Sequence, residues 1–70
     1  MQRVAVNSSS IMSIGYDVNT TTLEIEFDSG GVYQYYGVPV FLYNSLMSAP
    51  SKGTYFASFI KPNYRCIKIG

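Results

Sequence analysis

The sequence predicts a small α+β domain: an antiparallel sheet in the order β-β-β-α-α-β, with two short helices packed on one face. Three observations carry this expectation. Thr22–Phe27 and Tyr64–Ile69 alternate apolar and polar residues, the period of a half-buried strand. Strand-like segments at 11–16, 22–27 and 31–36 are separated only by short turns, which makes them antiparallel neighbours. Between Pro39 and Pro62 the apolar residues change to helical spacing.

Residues 1–70 read as one domain, opening with a polar lead-in over 1–9. Ser8, Ser9 and Ser10 offer hydroxyls that compete for backbone groups and favour a turn. Ile11 to Tyr16 is the first strand; Gly15 within it marks a bulge or a close backbone approach. Asp17 to Thr20 forms a turn. In the second strand, Leu23, Ile25 and Phe27 share one face, while Glu24 and Glu26 share the other, read as a solvated face. A loop over 28–31 leads into the third strand, Gly31 to Tyr36. Pro39 suits the first turn of a helix over Val40–Ala49, where its missing N–H is no loss. Val40, Tyr43, Leu46 and Met47 are expected to face the sheet. Pro50 stops this helix, and Ser51 is a good N-cap for a second, which runs to about Ile60 with Phe56, Phe59 and Ile60 as its apolar stripe. After Pro62-Asn63 comes the last strand, with Arg65, Ile67 and Ile69 on one face and Tyr64, Cys66 and Lys68 on the other.

The loop between the second and third strands sets which way the tyrosines of Gly31–Tyr36 point. A two-residue loop, Ser29-Gly30, places Tyr33 and Tyr35 over the two glutamates. A three-residue loop, Asp28-Ser29-Gly30, places Tyr33 opposite Ile25 and Tyr35 opposite Leu23. The second is favoured, because Gly30 supplies the positive φ that such a loop requires. Tyr33 and Tyr35 then build the core, and Tyr36 goes to the glutamate side.

A chain of 70 residues buries only about 60% of the surface its unfolded form exposes. One cysteine and no histidine leave no internal disulfide and a poor ligand set for zinc. The apolar side chains, 47% of the residues, must therefore supply the core, and they are too many for a disordered chain. The lone thiol fits a reducing compartment. The N-terminus lacks a signal-peptide core, and there is no apolar run of about 18 residues. A cytoplasmic protein outside the membrane is expected.

Catalysis is not expected. Without histidine there is no Ser-His-Asp or Cys-His pair. Cys66, on an alternating strand, reads as a small packed hydrophobe. Ser51-Lys52-Gly53-Thr54 resembles the end of a phosphate loop but lacks the preceding glycine and strand, which leaves a capped helix N-terminus or a generic anion site. No cofactor is implied.

The charge distribution is more informative than the net charge of +1. Residues 1–50 hold Arg3 against Asp17, Glu24, Glu26 and Asp28, whereas residues 51–70 hold Lys52, Lys61, Arg65 and Lys68 with no acid. A basic end of this kind suits a polyanion. The candidate nucleic-acid contacts are these four cations, with Tyr36, Tyr55 and Tyr64 as stacking surfaces.

Several segments resemble one family. They are Ser9-Ser10-Ile11 through Ser13-Ile14-Gly15-Tyr16-Asp17, then Leu23-Glu24-Ile25-Glu26-Phe27, then Tyr33-Gln34-Tyr35 followed by Gly37-Val38-Pro39. Later come Ser48-Ala49, Ser51-Lys52-Gly53, Tyr55-Phe56, Ile60-Lys61 and Tyr64. In residues and spacing the chain resembles the KTSC domain, found at the C-terminus of some lysyl-tRNA synthetases and as small stand-alone proteins. Ala57 and Cys66 depart from the pattern: many members have asparagine at the first position and an aromatic, arginine-rich tail around the second. The resemblance implies Tyr33 and Tyr35 as the family's Tyr-x-Tyr. Through the synthetase attachment, it also implies a partner that is either RNA, tRNA-like, or equally a protein.

Two readings follow from the residues. The first is an RNA-binding module, which requires the basic side chains to share a face with the displayed tyrosines. The second is a protein-interaction module or homo-oligomer. A 47% hydrophobic composition with only 13% charged residues leaves apolar surface outside a small core, and Ile11–Tyr16 or Tyr64–Ile69 could serve as an open edge strand.

Overall fold

In a computed structural model covering residues 1–70, the chain forms β1 (Arg3–Ala5), β2 (Ile11–Asp17), β3 (Thr22–Phe27), β4 (Val32–Tyr35), α1 (Val40–Ser48), α2 (Lys52–Tyr55), a π-helical turn (Phe56–Ile60) and β5 (Cys66–Lys68). The five strands make one sheet in the order β1-β2-β3-β4-β5, and every adjacent pair is antiparallel. This is the expected α+β architecture. One strand is added: Arg3–Ala5, inside the polar lead-in, pairs with Ser13–Gly15. Ile11–Tyr16 is therefore an interior strand, and the open edges are β1 and β5.

The β3–β4 hairpin has the three-residue loop. Ile25 opposes Tyr33 and Leu23 opposes Tyr35, with Gly30 at φ +103°. The Phe27 N–H donates to the Gly31 carbonyl at 2.9 Å and closes the loop. In β2 the register shifts between Ile11 and Ser13, so Met12 is the extra residue of a bulge and stands exposed. Gly15 answers to the other expectation, close backbone approach. A side chain there would meet the Gln2 carbonyl oxygen at 2.8 Å, so the missing Cβ lets β1 lie alongside.

The helical layer covers one face of the sheet. Ile11, Ile14, Leu23, Ile25 and Tyr35 point into it from the strands, and Val38, Leu42, Leu46, Phe56 and Ile60 meet them from the other side. In α1 the buried residues are Leu42 and Leu46, with Tyr43 and Met47 half-buried beside them. Val40, expected to face the sheet, is exposed in the first turn. In the second helical segment Phe56 and Ile60 are buried, but Phe59 is 52% exposed. The backbone is the cause. Beyond Tyr55 the helix widens to a π turn, where the Lys61 N–H reaches back to the Phe56 carbonyl at 3.0 Å. With i→i+5 bonding, residue i+4 returns beneath residue i and residue i+3 swings outward.

Ser51 caps α2 as expected, its hydroxyl accepting from the Thr54 N–H at 3.4 Å. No helix is long and apolar enough to cross a membrane.

Candidate functional site

The two faces of the sheet carry different chemistry. The face away from the helices holds a polar network centred on Glu24. Arg3 donates to the Glu24 carboxylate from one side, and Gln34 Nε2 donates from the other at 2.8 Å. Gln34 in turn accepts from the Tyr36 hydroxyl at 2.9 Å. Arg3 Nε also donates to Ser13 Oγ at 3.0 Å, and the Ser13 hydroxyl donates to Glu26 at 2.8 Å. Glu24 is only 5% exposed, so it is not the solvated residue that strand alternation suggested. Burial pushes its carboxyl up, but the hydrogen bonds from Gln34 and Arg3 and the charge of Arg3 outweigh that, holding it below the usual carboxylate range. A carboxylate committed in this way is not available as a general acid or base.

On the helical face, where β4, β5 and the π turn diverge, a cleft of about 440 Å³ opens. Phe27, Tyr33, Tyr35 and Phe56 wall it, and Ser29, Lys61 and Cys66 complete the lining. The rings brace one another edge to face, with centroids at 5.7 Å for Phe27–Tyr33, 5.4 Å for Phe27–Phe56 and 5.1 Å for Tyr35–Phe56. The hairpin register creates this wall, since it turns both tyrosines of Tyr33-Gln34-Tyr35 toward the helices. Tyr35 is only 4% exposed. Its polar neighbour is the Cys66 thiol, from the opposed position on β5. Burial first, then Cys66 and Tyr33, pushes the Tyr35 hydroxyl up to about 12, so it remains protonated at neutral pH.

Cys66 is exposed, not packed as expected. β5 is an edge strand with nothing beyond it, so its thiol lines the cleft instead of a core. Lys68 opposes Tyr33 on the same face, and its Cε and the Tyr33 ring both approach Gly31. Neither Lys61 nor Lys68 takes part in an ion pair; Arg3 makes both of those present.

The cleft thus gathers Tyr33, Tyr35, Lys61 and, at its border, Lys68. The other candidate residues lie elsewhere. Tyr36 is tied to Gln34 on the outer face, and Arg65 is exposed beside it, its carbonyl accepting the Tyr36 N–H at 3.0 Å. Lys52 is half-buried and donates to the Ala49 carbonyl at 3.3 Å, bridging the two helices. Tyr55 packs against Phe59, with centroids 4.8 Å apart, beside a shallow groove at the α1–α2 junction. Tyr64 is half-buried against the core. The four cations therefore do not form one face. Phe27 and Phe56 are site residues that the sequence offered only as core positions; the signal was present in their place on the apolar faces, but not in which end of the core stays open.

Comparison with known proteins gives the family. Residues 7–64 match the KTSC domain. An uncharacterized protein of Stutzerimonas stutzeri is 44% identical over 64 residues, spanning 91% of this chain and 90% of that protein. A lysine–tRNA ligase of a Nostoc species is 46% identical over 57 residues, which are 81% of this chain but only 10% of the ligase. The crystal structure of a KTSC domain protein from Yersinia pestis matches with a TM-score of 0.96 at 51% identity, covering 99% of this chain and 97% of that one. This chain therefore belongs to the KTSC domain family.

Proposed function

We propose that this domain binds RNA and that the cleft between β4, β5 and the π turn is its contact surface. The observation that carries the reading is the placement of two lysines free of ion pairs, Lys61 in the lining and Lys68 at the border, on an open cleft whose partly exposed aromatic walls are Phe27 and Tyr33. Single-stranded nucleic acids are held by this combination: aromatic faces stack unpaired bases, and lysines meet the adjoining phosphates. A cleft of about 440 Å³ is in the size range of small-ligand sites. The kinship with a segment of lysine–tRNA ligases supports the same reading, since those proteins act with tRNA. The basic residues in question are fewer than the sequence suggested, because Lys52 and Arg65 stand apart from the cleft.

Fluorescence anisotropy with labelled bulk tRNA tests the proposal. Binding should weaken as salt rises, and Lys61→Ala with Lys68→Ala should weaken it further. Removing two phosphate contacts from a single strand should make the log–log salt slope shallower by about 1.4. Lys52→Ala, which alters a cation outside the cleft, should leave the slope unchanged. Absence of binding at low salt would refute the RNA reading and direct attention to a protein partner, with the exposed Ile67 and Ile69 of the opposite sheet face as the first surface to examine.

A further inference from the structure

We infer that the cleft holds one unpaired base stacked on Tyr33, with the adjoining phosphate on Lys68, and that Gly31 is the residue that positions both side chains for it. This rests on the RNA reading above and names the contact that separates RNA from any other polyanion. Of the four rings, Tyr35 and Phe56 are each 4% exposed and packed against one another edge to face, so neither offers a face to a ligand. Phe27 is partly exposed, but it packs against both Tyr33 and Phe56. Tyr33 is partly exposed and has Phe27 as its one aromatic neighbour.

Gly31 accounts for where the Tyr33 ring lies. The adjacent Gly30 is required for its positive φ, but Gly31 has none, so its requirement is space. A Cβ at Gly31 would lie 2.9 Å from Tyr33 Cε1 and 3.6 Å from Lys68 Cε. The Tyr33 ring therefore leans back over Gly31, and the Lys68 stem crosses to the same point from the opposed position on β5. Ring and lysine are thereby joined in one patch. Stacking on an aromatic ring tolerates any base, and the Lys68 ammonium, free of ion pairs, is placed for the phosphate beside it. A methyl group at position 31 would take the place of the ring and part the two.

Affinities should be measured at one low salt concentration for U15 and for an abasic strand with the same number of phosphates. The chains to compare are the wild type, Gly31→Ala, Tyr33→Leu, their double variant and Tyr33→Phe. The wild type should bind U15 about tenfold more tightly than the abasic strand, in the range of one stacked base. Tyr33→Leu should abolish that difference by weakening U15 alone, and Tyr33→Phe, which keeps the ring, should preserve it. Gly31→Ala should shrink the difference several-fold in the wild-type chain but have no effect in Tyr33→Leu, where no ring is left to displace. Equal wild-type affinities for the two strands, or a Gly31→Ala loss that persists undiminished in Tyr33→Leu, would overturn this site and leave the RNA reading on phosphate contacts alone. Failure of both strands to bind at low salt would remove both. The wild-type comparison needs no variant, so it decides whether a base is stacked even where a substitution loosens the hairpin.

Discussion

The Arg3 guanidinium donates to the Glu24 carboxylate across β2, joining the N-terminal edge strand to the centre of the sheet. Glu24 sits at only 7% side-chain exposure and Arg3 at 31%. Removal of Arg3 leaves a nearly buried carboxylate with Gln34 as its remaining side-chain partner. Because Arg3 is partly solvated, Arg3→Ala should destabilise by about 1–3 kcal/mol, less than breaking a fully buried pair. Urea denaturation gives the value, and a change below 0.5 kcal/mol would mean that water replaces Arg3 without loss.

The same contact sets an acid limit. The Glu24 carboxyl is held below its ordinary value of 4.5, so its contribution is present above that value and is lost as the pH falls through the lower native one. Stability should therefore decline as the pH is taken below about 4.5. Glu24→Gln should be less stable at neutral pH and show a shallower decline. Parallel acid profiles for the two chains would count against this assignment.

Gly15 controls the same latch from the backbone. A larger side chain would press on the Gln2 carbonyl oxygen, 2.8 Å from the Cβ position, and on the Arg3 side chain at 3.0 Å. Gly15→Val should lift β1 and release Arg3 from Glu24. Its effect should overlap that of Arg3→Ala, so the double variant should fall short of the sum of the two, by 0.5 kcal/mol or more. Simple additivity would show that β1 holds Arg3 in place without help from Gly15.

Two turns offer opposite tests of backbone conformation. Gly30 has φ +103° with open space around its Cβ position, so Gly30→Ala should destabilise through the backbone alone, by about 1 kcal/mol. Thr21 is a β-branched residue at φ +51°, so Thr21→Gly should be tolerated and should relieve strain of about 1 kcal/mol. Thermal melts of both variants should move in opposite directions. A lowered midpoint for Thr21→Gly would mean that its hydroxyl, which donates to the Thr20 carbonyl at 2.7 Å, outweighs the strain.

The legible parts of this protein were those written in local pattern. Alternation in Thr22–Phe27 and the glycine at 30 were enough for the hairpin register, and with it for the side on which Tyr33 and Tyr35 stand. Elements fixed by distant partners were not legible. β1 is three residues long, and its strongest side-chain contact crosses 21 positions to Glu24, so neither the strand nor the burial of that glutamate shows in local sequence. The π turn shifted the helical phase, which is why Phe59 faces outward. Cys66 looked like a core residue because alternation identifies a face but not an edge. Lys61 was legible as a cation, but its position on an aromatic cleft depends on where the π turn ends.

An NMR titration of the isotope-labelled chain with an unstructured single-stranded RNA at low salt tests binding at the cleft directly. Shifts should concentrate at Phe27, Tyr33, Tyr35, Phe56, Lys61, Cys66 and Lys68 and be reversed by added salt, with Tyr36, Arg65 and Ile67 on the other side little changed. Shifts centred on that opposite face, or a spectrum that does not respond, would contradict it.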